Sequence, residues 1–264
     1  DMSLTVQNAN IYLVDQGSGT PILFLHGVAD SADVWAGVIA RLKNHYRCLA
    51  PDLPGFGRST APEDFDCSLD NMARFVDGLV NAIGIKEPLN LVVHDFGGPF
   101  GLAWAVKHPE KVKHLAIMNT PFFSDYRWHF WAKVWRTPVL GELSWRLMKR
   151  WVLTMEMKRG SRKLTVKQIH DTFALITPAM RRMILRLYRT TDPKNFKGWE
   201  DELLKLTARV PTCVLWGDHD PYIPRKFAAR YGAQSVRYFP ESGHWVQAEE
   251  VDKVSESLLE FFSK

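Results

Sequence analysis

Cysteine is scarce in this chain: three residues, Cys48, Cys67 and Cys213, odd in number and far apart. That spacing argues against a disulfide framework and offers no zinc-binding pair, so no metal site is expected. Cys48 and Cys213 stand inside apolar strand-like runs, where buried free thiols are expected. No apolar run reaches the roughly 18 residues of a membrane span, so no transmembrane segment is expected. The first residues, DMSLTVQNAN, lack the charged-then-apolar pattern of a secretory leader, and a cytoplasmic location is the default expectation. Internal repeats and low-complexity runs are also missing, which sets aside solenoids and fibrous folds.

What is present suits one large α/β domain, or a domain with an insertion: 264 residues, 46% of them hydrophobic. The net charge of +5 is unevenly spread. Between Tyr126 and Glu200 stand 17 Lys and Arg against 5 Asp and Glu, with six of the ten tryptophans. A basic, Trp-rich insertion of this kind can touch an anionic membrane surface or an acidic partner. The expectation preferred here is a solvated helical face over an apolar pocket lining. No nucleic-acid-binding motif accompanies the charge, and nucleic acid is not an expected partner.

Taken along the chain, β and α patterns alternate. Leu4 to Val14 reads as one or two edge strands, and the continuous apolar run Pro21–Leu25 as a buried parallel strand ending in His26-Gly27. Asp30 or Ser31 can cap a helix through Trp35, Val38, Ile39 and Leu42. A strand at Tyr46–Ala50 leads into the loop Asp52-Leu53-Pro54-Gly55-Phe56-Gly57, and an amphipathic helix from Leu69 to Ile83 stops at Gly84. Leu91-Val92-Val93-His94-Asp95-Phe96-Gly97-Gly98 then gives strand, sharp turn and helix, the context of a nucleophile elbow with Asp where Ser usually stands. After a strand at Val112–Met118, alternation is suspended for about eighty residues of helix-like sequence. It resumes with a strand at Val210–Trp216, a helix around Phe227–Tyr231, a strand at Val236–Phe239 and a last helix from Val251 to Phe262. Such alternation predicts a parallel sheet covered on both faces, with ligands at the carboxyl ends of its strands. His26-Gly27, Asp52, His94-Asp95, Asn119, Asp218 and Asp220 all fall at those ends, with Gly243-His244 just after the last strand.

Together, HG after one strand, DLPGFGRS after the next, the elbow, WGDHD and SGHW resemble the α/β-hydrolase superfamily. Asp at the nucleophile position further resembles its epoxide hydrolase and haloalkane dehalogenase branch. The resemblance implies a core domain over 1–120 and 205–264 and a helical cap over 121–204. It implies an Asp95–His244–Asp220 triad, with Asp218 the alternative acid, and an oxyanion hole from the N–H groups of Val28 and Phe96. Asn119 stands where some relatives carry the acid, and His26 and His94 are expected to pack loops rather than react. The chemistry points the same way: a carboxylate attacking an sp3 carbon leaves an ester that water can cleave, whereas Ser would leave an inert ether.

The halide-binding Trp that dehalogenases place after the nucleophile is Phe96 here, their Asn after HG is Val28, and the usual Pro is Ala29. Leu187-Tyr188-Arg189 resembles the cap Tyr-Arg of epoxide hydrolases, with Tyr188 as acid; Tyr126 aligns less well. The expectation is therefore an epoxide hydrolase-like enzyme, monomer or homodimer, acting on a small hydrophobic substrate with water and no cofactor. Trp128 and Trp131 are expected to bind the substrate. The alternatives are a dehalogenase with an unusual halide site among the cap tryptophans, and a ligand-binding receptor on a hydrolase scaffold.

Overall fold

The computed structural model describes residues 2–264. Its strands are β1 (Met2–Val6), β2 (Ala9–Gln16), β3 (Pro21–Leu25), β4 (Arg47–Pro51), β5 (Leu89–His94), β6 (Val112–Met118), β7 (Thr212–Gly217) and β8 (Ser235–Phe239). They form one sheet in the order β1-β2-β4-β3-β5-β6-β7-β8. The first two strands pair antiparallel with each other and β2 pairs antiparallel with β4; every later pairing is parallel. The alternating run at Leu4–Val14 is thus two strands, of which only β1 is an edge.

The helices are α1 (Ala36–Leu42), α2 (Leu69–Ile83), α3 (Gly97–Lys107), α4 (Phe130–Arg136), α5 (Leu140–Leu147), α6 (Arg150–Gly160), α7 (Val166–Ala174), α8 (Pro178–Thr190), α9 (Trp199–Thr207), α10 (Val246–Glu249) and α11 (Val251–Phe262). The strand period of two sends Leu23, Leu25, Leu91, Val93, Ile117 and Val214 into one core. It sends Ile22, Phe24, Val92, Ala116, Cys213 and Leu215 into the other, against Trp35, Ile39 and Leu258. Helices α2, α3 and α9 pack together around the first core; α1 and α11 pack together around the second.

Local chemistry explains the boundaries. The Ser68 hydroxyl accepts the Asn71 N–H to start α2, and Gly84 at φ 81° ends it. Between them Met72, Phe75, Val76 and Leu79 are buried at helical spacing, each stabilising by about 2 kcal/mol. The segment expected to be a helix near Phe227–Tyr231 is instead a 3₁₀ helix, Arg225–Tyr231. Pro224 starts it without a side-chain cap, and Gly232 in the left-handed region ends it before a longer helix can form. All three cysteines are free and buried, and burial pushes the Cys48 and Cys213 thiols up to about 12.

Register places the site. Leu25 pairs with Val93, His94 with Met118, and Met118 with Leu215. The residues that follow those positions, Gly27, Asp95, Asn119 and Asp218 to Asp220, therefore collect along one edge of the sheet. At the turn after β5, a Cβ on Gly97 would lie 2.1 Å from the Leu25 carbonyl oxygen, whereas a Cβ on Gly84 would meet nothing within 4 Å. Gly97→Ala should cost about 3 kcal/mol or more in urea unfolding, because backbone must move. Gly84→Ala, which only strains its own φ, should cost about 1 kcal/mol. Equal losses in the two variants would refute the close approach at Gly97.

Candidate active site

Asp95 follows β5 in the left-handed region, at φ 47°. Three bonds hold it there. Its N–H donates to the Asn119 carbonyl at 3.1 Å, and its carbonyl accepts the Gly98 N–H at 2.9 Å and the Thr120 hydroxyl. The side chain turns back over Gly27, where any Cβ would lie 2.4 Å from Asp95 Oδ2. That approach brings the Val28 N–H to Oδ2 at 2.8 Å, and the Phe96 N–H also stabilises the carboxylate. Both N–H groups expected at an oxyanion hole thus already serve the Asp95 carboxyl. Burial pushes this carboxyl up, and the charge on His244 with the two N–H groups pulls it back.

His244 and Asp220 meet from two different loops. The His244 Nδ1 lies 2.7 Å from Asp220 Oδ2, and both side chains are buried. Asp220 spends every remaining acceptor on the protein: Oδ1 takes the Tyr222 and Ile223 N–H groups at 2.7 and 3.1 Å, and Oδ2 takes the Asn119 amide at 2.9 Å. Asn119 also exchanges two hydrogen bonds with the Gly217 backbone, which ties the acid to β7. Asp218, the alternative acid, points instead to Arg225 at 2.9 Å. Burial alone would push the His244 imidazole down, but Asp220, with Asp95 and Asp30 nearby, holds it at about 9.

The two other histidines of the strand ends are tied to backbone groups. His26 accepts the Leu53 N–H on Nε2 and donates to the Gly27 carbonyl from Nδ1. His94 Nε2 donates to the His244 carbonyl at 2.8 Å, and burial keeps its ring neutral.

A cavity of about 70 Å³ joins Asp95 and His244 to Tyr188 and Trp131. Tyr188 is buried, and burial raises its phenol well above its ordinary value, so it stays a neutral donor. His129 Nδ1 accepts the Ala132 N–H, which puts the ring proton on Nε2, facing the Tyr188 oxygen at 3.5 Å. The phenol proton is therefore left free. Trp128, expected to bind substrate, does not line the cavity: it stacks behind Phe96, with ring centroids 5.9 Å apart. Tyr126 is spent on the Tyr222 carbonyl at 3.0 Å.

Several lining residues escaped the sequence reading. Trp135 and Trp145 line the cavity, and the indole N–H of each is buried and without a partner among the described residues. Tyr222, two residues beyond the acid, packs edge-on against His244 and donates to Glu156. Of the two candidate caps, Ser31 takes the role with its hydroxyl, and Asp30 does not. It is buried instead, accepting the Trp245 indole N–H at 2.9 Å. Asp30, Met157, Thr172 and Trp245 also wall a second cavity of about 410 Å³ beneath α7. Its position beside HG was the available signal; the partner Trp245 lies too far along the chain to be foreseen.

A family model described as alpha/beta hydrolase fold matches residues 20–251. A cis-3-alkyl-4-alkyloxetan-2-one decarboxylase of Shewanella oneidensis is 25% identical over 278 residues, covering 98% of this chain and 87% of that protein. The solved structure of a haloalkane dehalogenase from Agrobacterium tumefaciens C58 is similar with a TM-score of 0.84 and 25% identity, over 99% of this chain and 95% of that chain. An epoxide hydrolase structure gives 0.84 at 21% identity over 99% and 98%, a likeness of fold alone.

Burial raises the Asp30 carboxyl to about 7, against which the Trp245 bond and the His244 charge act. An unfolded chain releases this proton near 4. Between those values the folded state holds a proton that the unfolded state has lost, so stability falls as pH rises through the window. Asp30→Asn keeps an acceptor for Trp245 and removes the titration. Its melting temperature should exceed that of the unmodified protein at pH 8 by at least about 3 °C, with the gain shrinking towards pH 4. A variant no more stable at pH 8 would contradict a buried carboxyl held against its ionisation.

Proposed function

The chain belongs to the alpha/beta hydrolase fold family and is a hydrolase, and on that premise we propose that it opens a small uncharged substrate at an sp3 carbon, an epoxide first of all, through an ester on Asp95. The carrying observation is that Asp95, the His244–Asp220 pair and a Tyr188 with an unspent proton face one cavity. In this reading the segment 121–204 acts as a cap that closes the cavity over the core. Asp30, Asp95 and Glu156 line the cavity with no Lys or Arg among the described residues, which disfavours anionic substrates.

Asp95 attacks the epoxide carbon with the oxygen not held by Val28. The carbon–oxygen bond breaks, and Tyr188 gives its proton to the leaving alkoxide. Esterification removes the Asp95 charge that helps to hold the His244 proton. Losing that charge lowers the imidazole pKa, so the ring releases its proton to solvent and is ready as a base. His244 then takes a proton from water, and the hydroxide adds to the ester carbonyl. The N–H groups of Val28 and Phe96 receive the developing oxyanion. When the ester breaks, the alkoxide of the diol takes up the proton from His244, and the carboxylic acid left on Asp95 returns its proton, through water, to the Tyr188 phenolate.

The unpartnered indoles of Trp135 and Trp145 favour a second reading, a dehalogenase in which the halide leaves towards those N–H groups. One experiment covers both. His244→Phe should form the Asp95 ester and stall, so intact mass rises by the whole epoxide, or by an alkyl group when halide leaves. Asp95→Ala should carry no adduct. Tyr188→Phe should slow epoxide opening about 100-fold and leave halide release unchanged. Label on another residue, or turnover that survives Asp95→Ala, sinks the mechanism.

A further inference from the structure

Ten large apolar side chains are exposed among the described residues, and eight of them fall between Phe130 and Val166. They are not scattered. Leu140, Leu143 and Leu147 share one face of α5, and Trp151 and Met155 one face of α6, each 46% to 64% exposed. The opposite faces of the same two helices carry Trp145, Leu153 and Met157 into the catalytic cavity. A helix at a protein surface normally turns a polar face outward; one that is apolar on both sides has a second apolar environment.

The charges around this face name that environment. Lys133, Arg146, Lys149 and Arg150 are exposed beside it, and none has an acidic partner among the described residues. The acids of the same stretch are already neutralised, Glu142 by Arg189 and Glu156 by Arg159. Cations rimming exposed Leu, Trp and Met match the headgroup and acyl layers of an anionic bilayer surface. No helix among the described residues is long and apolar enough to cross a membrane, so the contact is peripheral.

We propose that the outer face of α5 and α6 docks on an anionic lipid surface, seating the cavity wall directly above a reservoir of apolar molecules. This replaces the expectation of a solvated helical face, and it holds whatever reaction Asp95 performs.

The test is co-sedimentation of the full chain with phosphatidylcholine vesicles, with and without phosphatidylglycerol. Binding should need the anionic lipid and weaken as salt is raised. Leu147→Glu combined with Trp151→Glu should lower partitioning at least tenfold. Reversing Arg146, Lys149 and Arg150 to Glu should lower it by roughly 100-fold or more, since each cation near such a surface is worth about fivefold. All five positions are exposed, so melting temperatures should stay unchanged. If a variant melts early, the salt and lipid series on the unmodified protein still decides. Protein left in the supernatant with both vesicle types overturns the proposal, as does binding indifferent to lipid charge or to Leu147→Glu/Trp151→Glu. A dimer in lipid-free sedimentation that the same double variant splits would assign the face to a second copy of the chain.

Discussion

The site depends on one residue held in a conformation that side chains other than glycine rarely adopt. Asp95 sits at φ 47°, a strain of about 1 kcal/mol or more, and its neighbours are chosen so that it stays there. Asn119, Gly98 and Thr120 fix its backbone from three directions. Gly27 leaves the space into which its carboxyl folds. The same turn that strains the backbone is what delivers the Val28 N–H to Oδ2.

Around it, burial and charge work against each other. Asp30, Asp95 and Asp220 surround a single imidazole in a space nearly closed to water. Four donors converge on Asp220; Asp30 has one donor, and its carboxyl is raised to about 7. His244 sits between them and responds to the charge on both.

What the sequence made legible was whatever the parallel register fixes. Strand ends line up, so Asp95, Asp220 and His244 could be read together from their places after β5, β7 and β8. Alternating apolar runs gave the sheet and most of its helices. The cap was less legible, because a helix pattern tells which residues share a face and not what that face meets. Trp128 and Trp135 look alike in sequence, yet one packs behind Phe96 and the other reaches the cavity. Of the two caps the sequence left open, Ser31 takes the role; the bond from Trp245 to Asp30 was not legible because it spans the chain. The sequence raised a membrane contact for the basic, Trp-rich insertion but could not say which faces of α5 and α6 point outward, for the same reason as Trp135.

The placement of sulfur has a consequence for oxidative damage. Every thiol is buried and hard to ionise, and a thiol that does not become thiolate reacts slowly with peroxide. Six of the eight methionines are buried as well; the exposed thioethers are Met2 and Met155. An oxidant therefore meets the rim of the molecule before the cavity at Asp95. Sulfoxide at Met155 would place a polar, water-seeking group in the middle of the apolar cap face, while Asp95 and its neighbours stay chemically intact.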